Sequence, residues 1–268
     1  GGRGAYDGGS VGGGTYGSAS APLDPGSRGY SENDKGAGGG AVRIQATGAL
    51  IIHGAIRADG QDVGNYSGAG SGGSVYLTSC TMGGTGLITA RGGTGTGLPL
   101  QYVAGGGGGR IAVEYVPSAQ AAEPKSAAQM NADAGAVHYY TRGDMGTIYL
   151  TDGQVIPETV TNWAGYILGV TNWAASTLVL NGVWLGLGSA GLPTQCVLTC
   201  SGNLLFTNSS RLDVFCGATN SDWTNYGARI AVGSNLVMAT NCWLYPVSHP
   251  ATGGSAWLDG STLTVAAS

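Results

Sequence analysis

The sequence predicts an all-β fold, a right-handed parallel β-solenoid or β-helix with glycine-rich corners or polyglycine segments and no significant helix. Three observations predict it: a repeated unit of glycines followed by alternating apolar residues, a spacing near 33 residues between its copies, and no convincing amphipathic helix. A fixed repeat of this length is typical of stacked architectures, because each unit buries its apolar face only against its neighbours.

The repeated unit is a cluster of glycines followed by a short strand pattern. In its first copy the apolar residues Val42 and Ile44 alternate with polar ones, and period two predicts a strand. Four copies are legible in the sequence: GGGAVRIQ at 38–45, SGGSVYLT at 71–78, GGGGGRIAV at 105–113 and, more loosely, GDMGTIYLT at 143–151.

The spacing between these units is nearly constant along the chain. Strand openings in the first half are 33 and 36 residues apart, at Val42, Val75 and Ile111. The second half continues the repeat with different residue types, and its apolar positions are 32 and 27 residues apart, at Leu204, Leu236 and Leu263. A similar period in both halves favours one continuous structure.

Glycine accounts for 52 of the 268 residues, and the sequence leaves two interpretations of the clusters open. They can be corners where the chain needs positive φ or where two backbones approach too closely for a Cβ. Alternatively, Gly105 to Gly109 can be an extended three-fold polyglycine strand packed among others, as at the collagen axis. The flanking period-two strands favour corners.

Composition divides the chain into three parts. Residues 1–116 form a glycine-rich β-repeat region, 117–142 have the Pro, Ala and Gln content of a linker or excursion loop, and 143–268 form a Thr/Asn/Trp-rich β-solenoid region continuous with the first. The chain opens on GGRGAYDGGS, with neither an initiator Met nor a signal-peptide pattern. We therefore expect a processed piece of a longer product.

Charge excludes two classes of partner. Charged residues are only 10% of the chain and the net charge is −4, which provides no footprint for a phosphate backbone and excludes nucleic acid. No charged residue lies between Glu158 and Arg211. Asn and Gly interrupt this stretch before it reaches the roughly 18 apolar residues of a membrane span, so we expect none.

The ordered succession GGGAVRIQATGALIIHGAIRADG, GSGGSVYLTSCTMGGTGLITARGG and GGGGGRIAVEY resembles the glycine-rich modules of very large secreted or surface proteins of bacteria. The likeness covers residues 36–116, and the later half looks like the β-helical repeats that often follow such modules. A looser likeness, carried by the pentaglycine, is to the glycine-rich domain of the anaplastic lymphoma kinase family. The resemblance implies an extracellular, elongated, repetitive protein and carries little about activity.

No catalytic constellation is legible, and we expect neither an enzyme nor a cofactor, with calcium as the one exception to consider. The GxSxG around Ser10 lacks the strand, helix and partner residues of a nucleophile elbow. Asp59 and Asp62 are weak calcium candidates, because carboxylates on a turn supply hard oxygen ligands. Turn-forming Asp is the favoured interpretation of the pair.

Cysteines and tryptophans are the remaining candidates. Four cysteines of the second half can bridge neighbouring repeats in an extracellular setting or stay unpaired as small buried hydrophobes: Cys196, Cys200, Cys216 and Cys242. Four tryptophans stand beside Asn, Thr or Asp and are candidates for carbohydrate contact, packing or an interface: Trp163, Trp173, Trp223 and Trp243.

These observations predict an extracellular structural protein that self-assembles into fibres or forms the stalk of a bacterial surface adhesin, with copies of itself as its partner. The alternative is a carbohydrate-binding or carbohydrate-active β-helix with polysaccharide as its partner. Catalysis there needs two carboxylates about 5–9 Å apart, for which Asp213, Asp222 and the pair Asp59 and Asp62 are the candidates.

Overall fold

The computed structural model describes residues 14–29, 36–64, 67–96, 103–136, 142–188, 196–216, 228–248 and 256–266. Nearly all regular structure in these ranges is β-strand, with a single four-residue helix. The prediction of an all-β fold without significant helix is confirmed.

The glycine-dense half and the segment after it contain nine short strands and the helix. In chain order they are β1 (Ala41–Gln45), β2 (Ala49–Ile52), β3 (Ala55–Arg57), β4 (Ser74–Thr78), β5 (Thr81–Gly84), β6 (Leu87–Thr89), β7 (Arg110–Glu114), α1 (Pro117–Gln120), β8 (Gln129–Asn131) and β9 (Thr147–Leu150).

The second half contains the remaining described strands, one of which, β18, is long enough to pair with β15 and then β16 along its length. They are β10 (Thr159–Thr161), β11 (Ala164–Leu168), β12 (Asn172–Ala175), β13 (Leu178–Asn181), β14 (Trp184–Leu187), β15 (Cys196–Cys200), β16 (Leu204–Thr207), β17 (Arg211–Phe215), β18 (Ala228–Met238), β19 (Trp243–Val247) and β20 (Trp257–Val265).

These strands form three sheets, and the strand pairs within them are parallel. The largest runs β1-β4-β7-β9-β11-β14-β17-β19, with β3, β6 and β8 joined to it. The second runs β10-β13-β16-β18-β15-β12 with β20 beside β18, and β2 and β5 form the third. Parallel pairing of strands one repeat apart is therefore confirmed.

The pairing register follows the repeat in the sequence. The strand openings predicted from the sequence lie directly opposite one another, in the order Val42, Val75, Ile111 and then Ile148. In the second half Leu204, Leu236 and Leu263 are likewise consecutive partners. Because side chains alternate along a strand, these rows place apolar residues on one face throughout.

Part of the segment predicted as a linker is built into the sheets. Strand β8 pairs with both β6 and β11. Helix α1 supplies the buried Gln120, whose side-chain amide bonds the Met82 backbone as a neighbouring strand would. The Met82 N–H donates to Gln120 Oε1 at 2.8 Å, and Gln120 Nε2 donates to the Met82 carbonyl at 3.2 Å. The glycine-dense half and the second half thus share one sheet through β7, β9 and β11.

The glycine clusters pack backbone against backbone. In the segment 69–73 the N–H groups donate to three neighbouring segments in rotation: Ala69 to Ala104, Gly70 to Gln61, Ser71 to Ser27, Gly72 to Gly107 and Gly73 to Ala58. Every third residue thus returns to the same neighbour, which is the periodicity of an extended three-fold chain.

Close approach, and not positive φ, explains these glycines. A Cβ on Gly106 would overlap the Gly70 carbonyl, and one on Gly135 would overlap the Gly93 carbonyl. Glycines with positive φ in the described residues lie elsewhere, at positions 17, 84, 165, 169, 182 and 188. The left-handed corner interpretation of the clusters is wrong, and the polyglycine interpretation accounts for their hydrogen bonds.

Left-handed corners in the second half are occupied by asparagine, serine and glycine. Those that join the strands of one sheet to those of the other include Asn162 (φ 56°), Gly169 (φ 81°), Gly182 (φ 64°), Asn208 (φ 51°), Ser209 (φ 60°) and Asn241 (φ 60°). Asparagine tolerates this region better than other non-glycine residues, because its short polar side chain hydrogen-bonds locally.

Candidate functional site

The outer face of the largest sheet carries arginines stacked on aromatic rings, and we call this surface the arginine–aromatic face. Val75 and Leu77 point into the core, so alternation points Tyr76 outward. The stacked pairs, with the distance from the guanidinium carbon to the ring centroid, are Arg43 on Tyr76 (5.6 Å), Arg110 on Tyr16 (5.2 Å), Arg142 on Trp184 (4.5 Å), Arg211 on Trp184 (4.6 Å) and Arg211 on Tyr245 (4.9 Å).

Trp184 is the centre of the tightest part of this face. Two guanidinium groups lie over its ring, and its Nε1 donates to Asp213 Oδ2 at 2.9 Å. Arg211 Nε donates to Asp213 Oδ1 at 2.6 Å, and Arg142 forms an ion pair with Asp133 at 2.5 Å. Both arginines therefore have a carboxylate partner within the protein. The cluster joins β14 to β17 across the ladder and contributes about 0.5–2 kcal/mol per stacked pair.

Burial around this cluster shifts two pKa values. Desolvation raises the pKa of Tyr166, and the carboxylates of Asp213 and Asp144 add to the effect. Burial also raises the pKa of Asp133, and the nearby Arg142 opposes that shift. Tyr166 packs edge-on against Phe215 with ring centroids 5.5 Å apart. This part of the face is thus a partly desolvated, internally satisfied assembly.

The face ends at β19 with two rings that are largely uncovered. Trp243 is 51% exposed and Tyr245 is 53% exposed. They point to the same side because they are two residues apart on one strand. Arg211 lies over the Tyr245 ring from the β17 side, and in the described residues β19 pairs with β17 alone. The other edge of β19 is therefore open.

The opposite edge of the same sheet is also open. Strand β1 pairs with β4 alone in the described residues, and its Val42 and Ile44 are only half-buried, whereas Val75 and Leu77 on β4 are fully buried. Arg43 between them is exposed. The apolar row of the sheet thus begins with side chains that lack a neighbour on one side.

The second sheet ends in the same way, at β20. Its inward positions continue buried rows, with Leu258 beside Ile230 and Leu263 beside Leu236. Nevertheless Leu263 is 58% exposed and Leu258 is 39% exposed. A buried row that ends in an exposed leucine is an apolar core left open at its end.

The structure separates the four predicted tryptophans. Trp163 and Trp173 lie in the core, and the Trp163 Nε1 donates to the Ala128 carbonyl at 3.1 Å. Their burial removes them from carbohydrate contact in the folded chain and gives them a packing role. Trp243 is on the open edge, and Trp223 lies outside the described residues. Trp184, which the sequence analysis passed over because it lacks polar neighbours, carries the outer cluster.

Asp59 and Asp62 bind the backbone of the next repeat. Asp59 accepts hydrogen bonds from the Arg91 N–H at 2.8 Å and from Thr89 Oγ1 at 2.9 Å, and Asp62 accepts one from the Thr94 N–H at 2.6 Å. Within the described residues no three His, Cys, Asp or Glu side chains are placed to hold a metal ion. These hydrogen bonds join neighbouring repeats, about 30 residues apart in sequence, and differ from the turn-forming role that the sequence favoured, in which Asp bonds its own backbone.

All five cysteines are free thiols in the structure. Cys196 and Cys200 both point inward from β15, about 13 Å apart along the strand, which is too far for a disulfide between them. Burial raises the pKa of the Cys196 thiol to about 12 and that of Cys200 to about 11. These two residues are therefore packed as small, unreactive hydrophobes.

Of the carboxylates considered for catalysis, the three that the structure describes are bonded to other groups of the protein. Asp213 is buried under Trp184 and bonded to Arg211, and Asp222 lies outside the described residues. Asp59 and Asp62 are committed to backbone donors. The described residues thus offer contact surfaces, at the arginine–aromatic face and the open edges.

Comparison of the chain with protein-family models, with curated proteins and with solved structures found no match. In the part of the chain that the structure describes, no helix has the length and apolar character needed to cross a membrane. The functional conclusion therefore depends on the sequence and the geometry of this chain.

Proposed function

We propose that this protein is an extracellular structural module: its repeats stack as a β-solenoid, and copies associate end to end into a fibre or a surface stalk. The observation that carries the proposal is a parallel sheet in which eight strands lie side by side, from β1 to β19, and in which neither edge strand has an outer partner among the described residues. An uncovered strand edge is a template for pairing with another chain.

The internal chemistry supports a structural role. Arg142 and Arg211 on the arginine–aromatic face are paired with Asp133 and Asp213, while Asp59 and Asp259 hold the Arg91 backbone and the Arg229 side chain of neighbouring repeats. Such contacts stitch repeat to repeat and stiffen the array, since each unit contacts chiefly its neighbours. The proposed extracellular location comes from the resemblance of residues 36–116 to bacterial surface modules.

The two ends support assembly in one direction. One end presents β1 and the other presents β19 and β20, so a contact between copies joins two different surfaces. A contact between different surfaces produces an open linear polymer when its rotation does not close a ring. Exposed Leu258, Leu263 and Val265 at one end supply the apolar area to be buried.

Assembly is tested by electron microscopy and light scattering of the purified 268-residue chain over a concentration series. We expect filaments or oligomers that grow with concentration. Leu263→Lys places a charge in the open core and should raise the concentration needed for assembly at least about tenfold, since burying a leucine contributes about 1.5–3 kcal/mol. Leu23→Lys, at a similarly exposed position outside the strands, is the control. A strict monomer at high concentration overturns the proposal.

Carbohydrate binding is the second candidate, and one observation favours it. Trp243 and Tyr245 form a half-exposed aromatic pair with Arg211 beside it. Flat rings next to a hydrogen-bond donor suit the apolar face and hydroxyls of a sugar. A polysaccharide array probed with the native chain and with Trp243→Ala tests this candidate. Binding that disappears in the variant supports it, and an array without binding removes it.

A further inference from the structure

We infer that the contact between copies is a parallel β19–β1 strand pair in which Arg43 of one copy stacks on Tyr245 of the next. This inference rests on the proposed end-to-end assembly and names its partner surfaces. The partner is a second copy of this chain, because the exposed arginine and the uncovered rings lie at opposite edges of one sheet.

The chain already shows the rule that such a contact would follow. Arg43 lies directly opposite Tyr76 in the register, and Arg211 lies directly opposite Trp184. In both pairs the guanidinium stacks on the ring across the ladder, at 5.6 and 4.6 Å. Arginine thus stacks on the aromatic residue directly opposite it in two of the pairs of this face, and Arg211 also reaches Tyr245 diagonally, two residues beyond its register partner Trp243.

Arg43 and Arg211 differ in one respect. Arg211 lies over rings on both sides, Trp184 on β14 and Tyr245 on β19. Arg43 has a ring on the β4 side only, because β1 is an open edge in the described residues. A copy that places β19 beside β1 supplies the missing ring.

Apolar matching limits the register of this pair, and ring stacking decides it. With Arg43 opposite Tyr245, Val42 lies opposite Leu244 and Ile44 lies opposite Pro246, so both half-buried side chains of β1 gain apolar partners. A shift of one residue turns the apolar residues of β1 to the outer face. A shift of two, with Val42 opposite Pro246, leaves Ile44 opposite Ser248. A shift of two in the other direction gives apolar partners as well, with Val42 opposite Cys242 and Ile44 opposite Leu244, and places Arg43 opposite Trp243. We assign the first register because Tyr245 already carries the Arg211 guanidinium on its ring, and a second one would reproduce the arrangement at Trp184.

Single substitutions at exposed positions test the contact without disturbing the core. We expect Arg43→Gln and Tyr245→Ala each to raise the concentration required for assembly about five- to thirtyfold, the range of a cation–π pair that becomes desolvated. Matched controls are Arg91→Gln, an exposed arginine outside the strands that pairs with Asp59, and Tyr16→Ala, an exposed ring that stacks on Arg110. Circular dichroism verifies that each variant is folded.

A mixing experiment tests the pairing of different ends. Arg43→Glu blocks the β1 edge and leaves β19 intact, whereas Tyr245→Glu blocks β19 and leaves β1 intact. We expect each variant alone to be monomeric and an equimolar mixture to form a 1:1 complex, measured by light scattering after size exclusion. Polymers that persist in either variant, or a mixture that stays monomeric while the native chain assembles, overturn the β19–β1 contact and leave end-to-end assembly standing. A monomeric native chain overturns both.

Discussion

The two halves of this chain share one core of apolar side chains, and the glycine-dense half adds a lattice of packed backbones. In the glycine-dense half, backbones lie side by side: the N–H groups of Gly106 and Gly109 donate to the carbonyls of Gly93 and Ala90 at 2.9 and 2.7 Å. In the second half, side chains such as Trp173 occupy the space between the sheets. One continuous sheet passes through both regions. A parallel sheet can therefore pack either against other backbone segments or against side chains.

The difference predicts different sensitivities. A core of side chains tolerates exchange of one apolar residue for another of similar volume, because side chains can repack. A lattice of backbones has no side chain that can move aside. Its packed glycines should therefore accept no substitution, whereas the tryptophan core should respond in proportion to the volume removed.

The largest expected effect is that of Gly106→Ala. The added Cβ would overlap the Gly70 carbonyl and lie 3.0 Å from the Gly93 nitrogen, so two neighbouring segments would have to separate. We expect a loss of more than about 4 kcal/mol in the free energy of unfolding, or failure to fold. Urea denaturation followed by circular dichroism measures it.

Gly83→Ala is the matched control for this substitution, since a Cβ there meets nothing within 4 Å. It should be neutral or stabilise by up to about 1 kcal/mol, because alanine restricts the unfolded chain more than glycine does. If Gly106→Ala and Gly83→Ala lose the same free energy of unfolding, close backbone packing is not what requires glycine in the clusters. The contrast between the two halves would then disappear.

The second effect concerns the side-chain core. Trp173→Ala removes a fully buried ring and should cost about 3–5 kcal/mol. Trp243→Ala removes the same side chain from the open edge and should cost about 0.5 kcal/mol in dilute, unassembled protein. Thermal unfolding of the two variants measures the difference. Similar losses would mean that β19 is packed as tightly as the core.

The sequence was sufficient to predict the parallel pairing of the strands, because the pattern that specifies each strand lies within a few consecutive residues. Val42, Val75 and Ile111 each begin an alternating run after glycines, and a common period is enough to align them. The packing of the glycines was harder to predict, because a glycine required by positive φ and one required by a neighbouring backbone look identical in sequence. Their neighbours come from segments about one repeat away, so only the assembled fold distinguishes the two causes.

Tryptophan burial was hidden for a related reason. The tetrapeptide TNWA occurs twice, and both copies bury their tryptophan in different local structures. At 161–164 it contains the left-handed Asn162 between β10 and β11, whereas at 171–174 its Asn172 begins strand β12. Identical neighbours therefore did not indicate one role. The outer cluster of Trp184 was missed because its partners Arg142 and Arg211 are distant in sequence.

The third effect concerns the left-handed corners of the second half, and it tests whether backbone strain or hydrogen bonding selects their residues. Asn208 has φ 51°, and its Nδ2 donates to Asn181 Oδ1 at 2.6 Å. Asn208→Ala should lower the free energy of unfolding by about 1–2 kcal/mol, because a left-handed backbone is strained for alanine and the hydrogen bond is lost. Asn208→Gly should recover about half of the loss, since glycine removes the backbone strain alone. Asn235→Ala is the control, because it removes a similar bond to Asn203, 3.1 Å long, from a residue without positive φ. Urea denaturation compares the two variants. If Asn208→Ala and Asn235→Ala lose the same free energy of unfolding, the hydrogen bonds between asparagines of neighbouring repeats, and not the left-handed backbone, explain why asparagine occupies these corners. The second half would then resemble the first, with hydrogen bonds between repeats deciding which residue each position accepts.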